Sequence, residues 1–512
     1  MQNNLIATYQ ESRGRVLILF LLFFLAIYQF YSAGFNAFVI ICLLPLLVPI
    51  VYISFTWKMA MFWTLIFLNY FVQFFGKLRM LPNGIPMSMY NEICEILLIS
   101  IAIIDARQSP HFERIGNLMF ITLLCWCGYC SLEVLNDSCG LGIDVGRWYG
   151  GARMMAFQLM YAFLVFTLYI TNPIRLKKYL LIWALLSLFS VFWTYKQIYI
   201  GLTPAESSWL YNSGRVTHIL NAGTLIRYWS THNDAANYGI NAGATAVVFL
   251  VIAITTKIKY ERLFYAITGL LVIWGMFQSG TRTAIFCLIL GLAIFIVLSK
   301  STKIIVSSSI IGGIMLALLM FTTIGNGNQQ IRRMRSAFDR KDASANVRTI
   351  NQQAIKKYIK DAPWGIGVGT SYNNVPANNK FRKLSVIPPD SEYVFIWVHT
   401  GPIGITVFLI LTAIMFIGAC WIVFSKIKCR SLMGVGAGLC GAFAGIQIGG
   451  YGNQVLMQFP NCLIFYGGLS IVYILPYIEP EWVAMEEKQL TKQEERKRLK
   501  KREETSLESL TN

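Results

Sequence analysis

Runs of about 18 or more mostly apolar residues recur along this entire chain, and each is long enough as a helix to cross the roughly 30 Å hydrocarbon layer of a bilayer. No other feature constrains the fold as strongly. With 55% apolar and only 13% charged residues over 512 positions, a soluble domain is excluded. The fold class is an all-α polytopic membrane protein with about fourteen transmembrane helices. Their approximate cores fall at 16–33, 35–55, 58–75, 88–105, 116–135, 154–171, 179–200, 237–255, 261–278, 283–299, 304–324, 402–424, 432–449 and 461–478. The first run, Val16 to Ala33, lacks a small-residue cleavage site and reads as a permanent anchor. The eleven cysteines sit mainly inside apolar runs, as Cys125, Cys127, Cys287 and Cys440 do, so neither a disulfide framework nor a zinc spacing emerges.

Orientation follows from Lys and Arg, which short cytoplasmic loops collect in excess. Alternate turns hold Arg13 and Arg15, Lys58, Arg107 and Arg114, Arg175 with Lys177 and Lys178, Lys257 with Lys259 and Arg262, Lys300 with Lys303, and Lys426 with Lys428 and Arg430. Both termini are then expected in the cytoplasm, and two long loops face outward. The expected organisation is a block of N-terminal spans over 1–200, an outer loop over 201–236 and spans over 237–324. A large outer loop over 325–391, C-terminal spans over 392–478 and a charged cytoplasmic tail over 479–512 complete it. Much of the net charge of +19 belongs to this inner face and to the mixed-charge tail, which reads as a solvated helix. Nucleic acid is not an expected partner.

The large outer loop departs from that pattern, because its twelve Lys and Arg face four Asp (Asp339, Asp342, Asp361, Asp390). Long loops are exempt from the positive-inside rule, and a basic surface at the membrane face suits a phosphate-bearing partner. The loop opens with Arg332, Arg333, Arg335, Arg340 and Lys341. It continues in a helical pattern from Ala345 to Lys360 that Ser344 can cap. Val347, Ile350, Ala354 and Tyr358 recur on one face beside Ile355 and Ile359, while Arg348, Gln352, Lys356 and Lys360 make a second stripe. An amphipathic helix lying on the bilayer and a helix that turns Arg348 inward toward a lipid-linked phosphate both fit. Trp364-Gly-Ile-Gly-Val-Gly-Thr370 follows a helix rather than a strand, which argues against a nucleotide loop.

The smaller outer loop carries Arg215, His218, Arg227, His232, Asn233 and Asp234. Ser230, Asn233 and Asp234 suit the capping of the following span. An arginine such as Arg227 at a helix start opposes the dipole unless an anion compensates. Arg282, in a short turn between two apolar spans, is the most informative residue, since an ionisable group at such depth points to a functional partner. Lys196, near an outer helix end, reads as a snorkelling side chain.

These motifs occur in a recognisable order. Arg227-x-x-Ser-Thr-x-Asn233 precedes a span, and Ser279-Gly-Thr-Arg-Thr-Ala284 lies between spans. Arg348, the glycine turn and Asp390-Ser-Glu-Tyr393-(x)5-His-Thr-Gly-Pro-Ile-Gly404 follow. Over roughly residues 225–424 the chain resembles the bacterial O-antigen ligase/polymerase superfamily. The resemblance implies a glycosyltransferase-C-like enzyme without metal or other cofactor, working at the periplasmic face of the bacterial inner membrane on an undecaprenyl-diphosphate-linked oligosaccharide. Membrane lipids and a chain-length regulator protein would be its further partners. Arg227, Arg282 and Arg348 would face the diphosphate, with Arg215 and Tyr393 completing the substrate-binding set. Ligases of the family usually open the last motif with histidine, where this chain has Pro389-Asp390-Ser391. Asp390, Glu392 or the distant His232 is left to activate the acceptor hydroxyl, which favours a Wzy-type repeat-unit polymerase over a ligase. A lipid-oligosaccharide flippase is the expectation from another class. The chain lacks the clear internal repeat that often marks transporters.

Overall fold

A computed structural model describes residues 20–28 and 52–78 (except 22, 26 and 54), 88–105, 111–212, 216–220, 225–301, 327, 329–335, 343–387 and 391–511, with scattered positions between 306 and 323. The expected spans at 16–33, 35–55 and 304–324 fall largely outside these residues. The chain forms two compact units, Met1–Thr64 and Leu65–Asn512. In the first, the described backbone is almost entirely helical. In chain order the main helices are α1 (Lys58–Lys77), α2 (Ser88–Ile104), α3 (Leu118–Leu135), α4 (Val145–Tyr169), α5 (Pro173–Ile200) and α6 (Ala235–Thr255). They continue as α7 (Lys259–Gln278), α8 (Thr283–Leu298), α9 (Ala343–Ile359), α10 (Glu392–Lys426), α11 (Arg430–Gly452) and α12 (Cys462–Glu495). Among the described residues eight of these helices are long and apolar enough to cross a membrane. The fold is all-α and polytopic. The only sheet among the described residues is a two-stranded antiparallel ribbon, Ile219–Leu220 against Leu225–Ile226, which pairs Ile219 with Ile226.

α6 and α11 are among the most enclosed helices, packed against each other and flanked by α7 and α8. Their sequences explain this. Both are rich in Gly and Ala, and small residues let helix backbones approach where lipid supplies no hydrophobic drive of its own. At the α8–α11 crossing a Cβ on Gly441 would stand 2.5 Å from the Gly291 carbonyl oxygen, so this contact admits only glycine.

Hydrogen bonds sort the connections into two ends of the second unit. At one end Arg114 donates to the Thr171 carbonyl at 3.0 Å, Lys177 pairs with Glu261 at 2.7 Å, and Lys257 pairs with Glu486 at 3.4 Å. At the other end lie the described parts of the two long loops, the 279–282 turn and residues 453–461. Among the described residues, the turns that carry Arg114, Lys177 and Lys257 therefore lie apart from the long loops.

The large loop has a small core of its own. Ile355, Ile359, Ala362, Ile366, Val375, Phe381 and Leu384 cluster with Cys139 and with Val394 and Val398 of α10. α9 thus buries Ile355 and Ile359, while Val347 and Ile350 remain 53% and 63% exposed. The glycine turn is keyed into a break in α10. Pro402 has no N–H and displaces the carbonyl four residues back, and Gly401 sits at φ +69°. The freed Val398 and His399 carbonyls accept from the N–H groups of Ile366 (3.0 Å) and Gly367 (3.1 Å). Gly365, Gly367 and Gly369 all have positive φ, and a Cβ on Gly365 would meet the His399 carbonyl at 2.5 Å. Alternating glycines here serve backbone-to-backbone contact rather than phosphate binding.

Candidate active site

Four arginines from four separate segments meet at the long-loop end. Arg227 follows the ribbon, not a helix start, since α6 begins at Ala235. Its side chain donates from Nε to Ser279 O (3.2 Å) and from the two Nη atoms to Thr217 O and Thr281 Oγ1 (both 3.1 Å). Arg282 stands immediately before α8, in the tight turn that Gly280 makes with φ +58°. Arg333, in the short helix Gln329–Arg335, donates from Nε to Gly280 O at 2.7 Å. Arg348 reaches from α9 to Gly452 O, at the end of α11, at 2.6 Å. Arg227 and Arg333 thus clasp the 279–281 backbone together.

The arginines also feel one another's charge. Burial pushes Arg227 down to about 10, with Asp234 opposing the shift and Arg282 adding to it. Burial likewise lowers Arg333 to about 10, helped by Arg227 and Arg282. Arg282 is lowered by burial and then by Arg348. Mutually repelling guanidinium groups are thus held close together, each half-buried. Bidentate, permanently charged donors in such an arrangement suit a multivalent anion.

The other expected residues divide. Asp234 caps α6 by accepting from Asn237 N at 2.8 Å, and Ser230 donates to Ser190 O at 2.6 Å. His232 is fully enclosed between Tyr70 and Tyr238, and burial, aided by Lys77, pushes it down to about 3. It is a neutral imidazole with no exposed surface. Lys196 does not snorkel but pairs with Glu206 at 3.0 Å. Burial raises that carboxyl, yet donors from Thr203, Gln197, Trp193 and Lys196 outweigh it and hold Glu206 below its usual range. At the start of α10 the cap is Ser391, whose Oγ accepts from Val394 N at 3.1 Å. Glu392 is buried and accepts from Leu456 N at 3.0 Å, with the N–H groups of Met457 and Val455 also directed at its carboxylate. Tyr393 donates to Gln447 at 2.9 Å. Arg215 and Asp390 lie outside the described residues, and Ser344 lies in the first turn of α9 rather than ahead of it.

Three features were not singled out in the sequence. Arg333 reads there as one of several basic loop residues. Lys77 ends α1 beneath Trp209, 3.8 Å from its ring centroid, and donates to the His232 carbonyl at 2.7 Å and to the Asn233 carbonyl. It pins the backbone that follows Arg227. The segment 453–461 receives Glu392 at Leu456. Its Gln458 accepts from Asn233 (3.0 Å) and Asn237 (3.1 Å), and its Asn461 accepts from Asn241 (2.8 Å). Its signal was the run of polar residues Asn453, Gln454, Gln458 and Asn461 between two spans.

Fold and site define a polytopic helical membrane protein with a half-buried arginine cluster where its long loops meet the spans. Residues 267–409, which hold Arg282, Arg333, Arg348, Glu392 and Tyr393, match the family model described as O-Antigen ligase. That match supports the resemblance to the O-antigen ligase/polymerase superfamily that the ordered motifs suggested. No curated protein matches the chain.

Proposed function

We propose that this protein is a glycosyltransferase that polymerises oligosaccharide repeat units carried on undecaprenyl diphosphate, at the periplasmic face of the inner membrane. The observation that carries this reading is the convergence of Arg227, Arg282, Arg333 and Arg348, half-buried and each within electrostatic reach of at least one other. The leaving group would be a lipid diphosphate. Guanidinium forks fixed beforehand by Ser279, Gly280, Thr281 and Gly452 would bind it and offset the charge that grows as the glycosidic bond breaks. The acceptor hydroxyl must release a proton, and Asp390 and Glu392 are the proposed acceptors. Glu392 would also hold residues 453–461 against the site. His232, enclosed and neutral, fits support of the Arg227 loop better than proton transfer.

Transfer onto a separate lipid or protein acceptor, the ligase reading, is the alternative within the same class of glycan transfer. Deleting the gene separates the two. Loss of a polymerase leaves single repeat units on the final acceptor, because a separate ligase still transfers them. Loss of a ligase leaves long polymer stranded on undecaprenyl diphosphate and the acceptor bare.

A further inference from the structure

At the end of the molecule remote from the arginine cluster, α3, α10 and α12 leave a cavity of about 370 Å³, a size typical of small-molecule sites. Its lining combines two cations, Arg114 and Lys426, with Asn117 and the aromatic rings of Trp421, Tyr473 and Tyr477. No Asp or Glu lies among the lining residues.

Each wall has a local cause. Arg114 is held by its bond to Thr171 O (3.0 Å) and by the Tyr477 ring, whose centroid is 5.3 Å away. Its buried Nε has no hydrogen-bond partner among the described residues. Asn117 supports it by donating to the Arg114 carbonyl at 2.9 Å, while its own Oδ1 caps α3. Tyr473 is fixed by a 2.6 Å bond to Met415 O. A Cβ on Gly418 would stand 2.6 Å from the Tyr473 hydroxyl and 2.7 Å from Leu118, so glycine keeps this wall open. Trp421 is 64% exposed and Tyr477 52%, so this wall is open to the surroundings. Cations beside amphipathic aromatic rings at a helix end match the chemistry of the headgroup layer.

We propose that this cavity binds an anionic phospholipid of the cytoplasmic leaflet. The phosphate lies between Arg114 and Lys426, and the start of an acyl chain lies along Trp421, Tyr473 and Tyr477. The leaflet follows from the positive-inside reading, and the charge complementarity stands without it. The site is independent of the glycosyl-transfer reading, being formed at the opposite end.

The test uses the purified full chain in detergent, titrated with phosphatidylglycerol, phosphatidylcholine or inorganic phosphate, and read by native mass spectrometry and thermal unfolding. One phosphatidylglycerol should be retained and should raise the melting temperature, with an effect that salt weakens. Lys426→Gln, at an exposed side chain, and Arg114→Gln should each bind it about fivefold more weakly. Lys178→Gln, another exposed basic residue of the inner turns, should bind normally. Should Arg114→Gln fail to fold, Lys426→Gln alone decides. Equal retention of phosphatidylcholine, equal stabilisation by inorganic phosphate, or unchanged binding by the Lys426 variant would each overturn the proposal.

Discussion

Arg282 and Arg333 are legible in the sequence to very different degrees. Arg282 stands out because a charged residue in a two-span turn has few structural excuses. Arg333 hides among basic neighbours, and only the fold of the loop brings its guanidinium to Gly280 and beside Arg227. From sequence alone Arg333→Lys would be expected to pass unnoticed. The structure reverses that expectation. Lysine keeps the charge but not the fork, so Arg282→Lys and Arg333→Lys should each lower polymer formation by about a hundredfold at unchanged protein level. Lys357→Gln, at an exposed site on α9, should have no effect. Normal polymer from Arg282→Lys would mean that Arg282 merely snorkels toward the membrane surface.

His232 makes a prediction on stability. Its folded pKa, about 3, lies below the ordinary value of 6.5, so the unfolded chain binds the extra proton first as pH falls. Its contribution is therefore constant above pH 6.5 and is lost steadily between 6.5 and about 3. At about 1.4 kcal/mol per unit this amounts to several kcal/mol in all. Between pH 7.5 and 5 the melting temperature of wild type should drop further than that of His232→Gln. Parallel profiles would mean that His232 titrates normally.

Among the elements, the glycine turn and the broken helix α10 form one unit, and neither explains itself alone. The spacing of Gly365, Gly367 and Gly369 was plain in the sequence, and so was Gly401-Pro402. That each exists to receive the other was not, because the bonds between them cross more than thirty positions of chain. The helix of the loop was legible nearly to its ends. Its buried face was not, since Val347 and Ile350 satisfy the period as well as Ile355 and Ile359 do, and only the local core chooses between them. Gly369→Ala would place a Cβ 2.0 Å from the Arg147 carbonyl oxygen at φ +80°, whereas Gly140, also at positive φ, has nothing within 4 Å. Gly369→Ala should therefore expose the outer loop to limited proteolysis. Gly140→Ala should cost only about 1 kcal/mol and leave the digestion pattern unchanged.

On the largest scale, charge alternation along the sequence grouped the turns of Arg114, Lys177 and Lys257, which the second unit does hold at one end. It could not reveal that residues 453–461 fold back among the arginine-bearing segments, because a polar turn between two spans looks the same whether it is bare or built into a site. Reporters fused after Asn374 and after Ile427 should report opposite sides, periplasmic and cytoplasmic. A cytoplasmic signal from Asn374 would move the arginine cluster away from any periplasmic donor. The most direct measurement of the central claim is chain growth by the purified protein in lipid nanodiscs, supplied only with an undecaprenyl-diphosphate-linked repeat unit. A polymerase uses the same molecule as donor and acceptor. The prediction is a ladder of longer lipid-linked glycans with one undecaprenyl diphosphate released per unit added, abolished by Arg282→Lys. A donor left intact until a separate lipid or protein acceptor is added would contradict it.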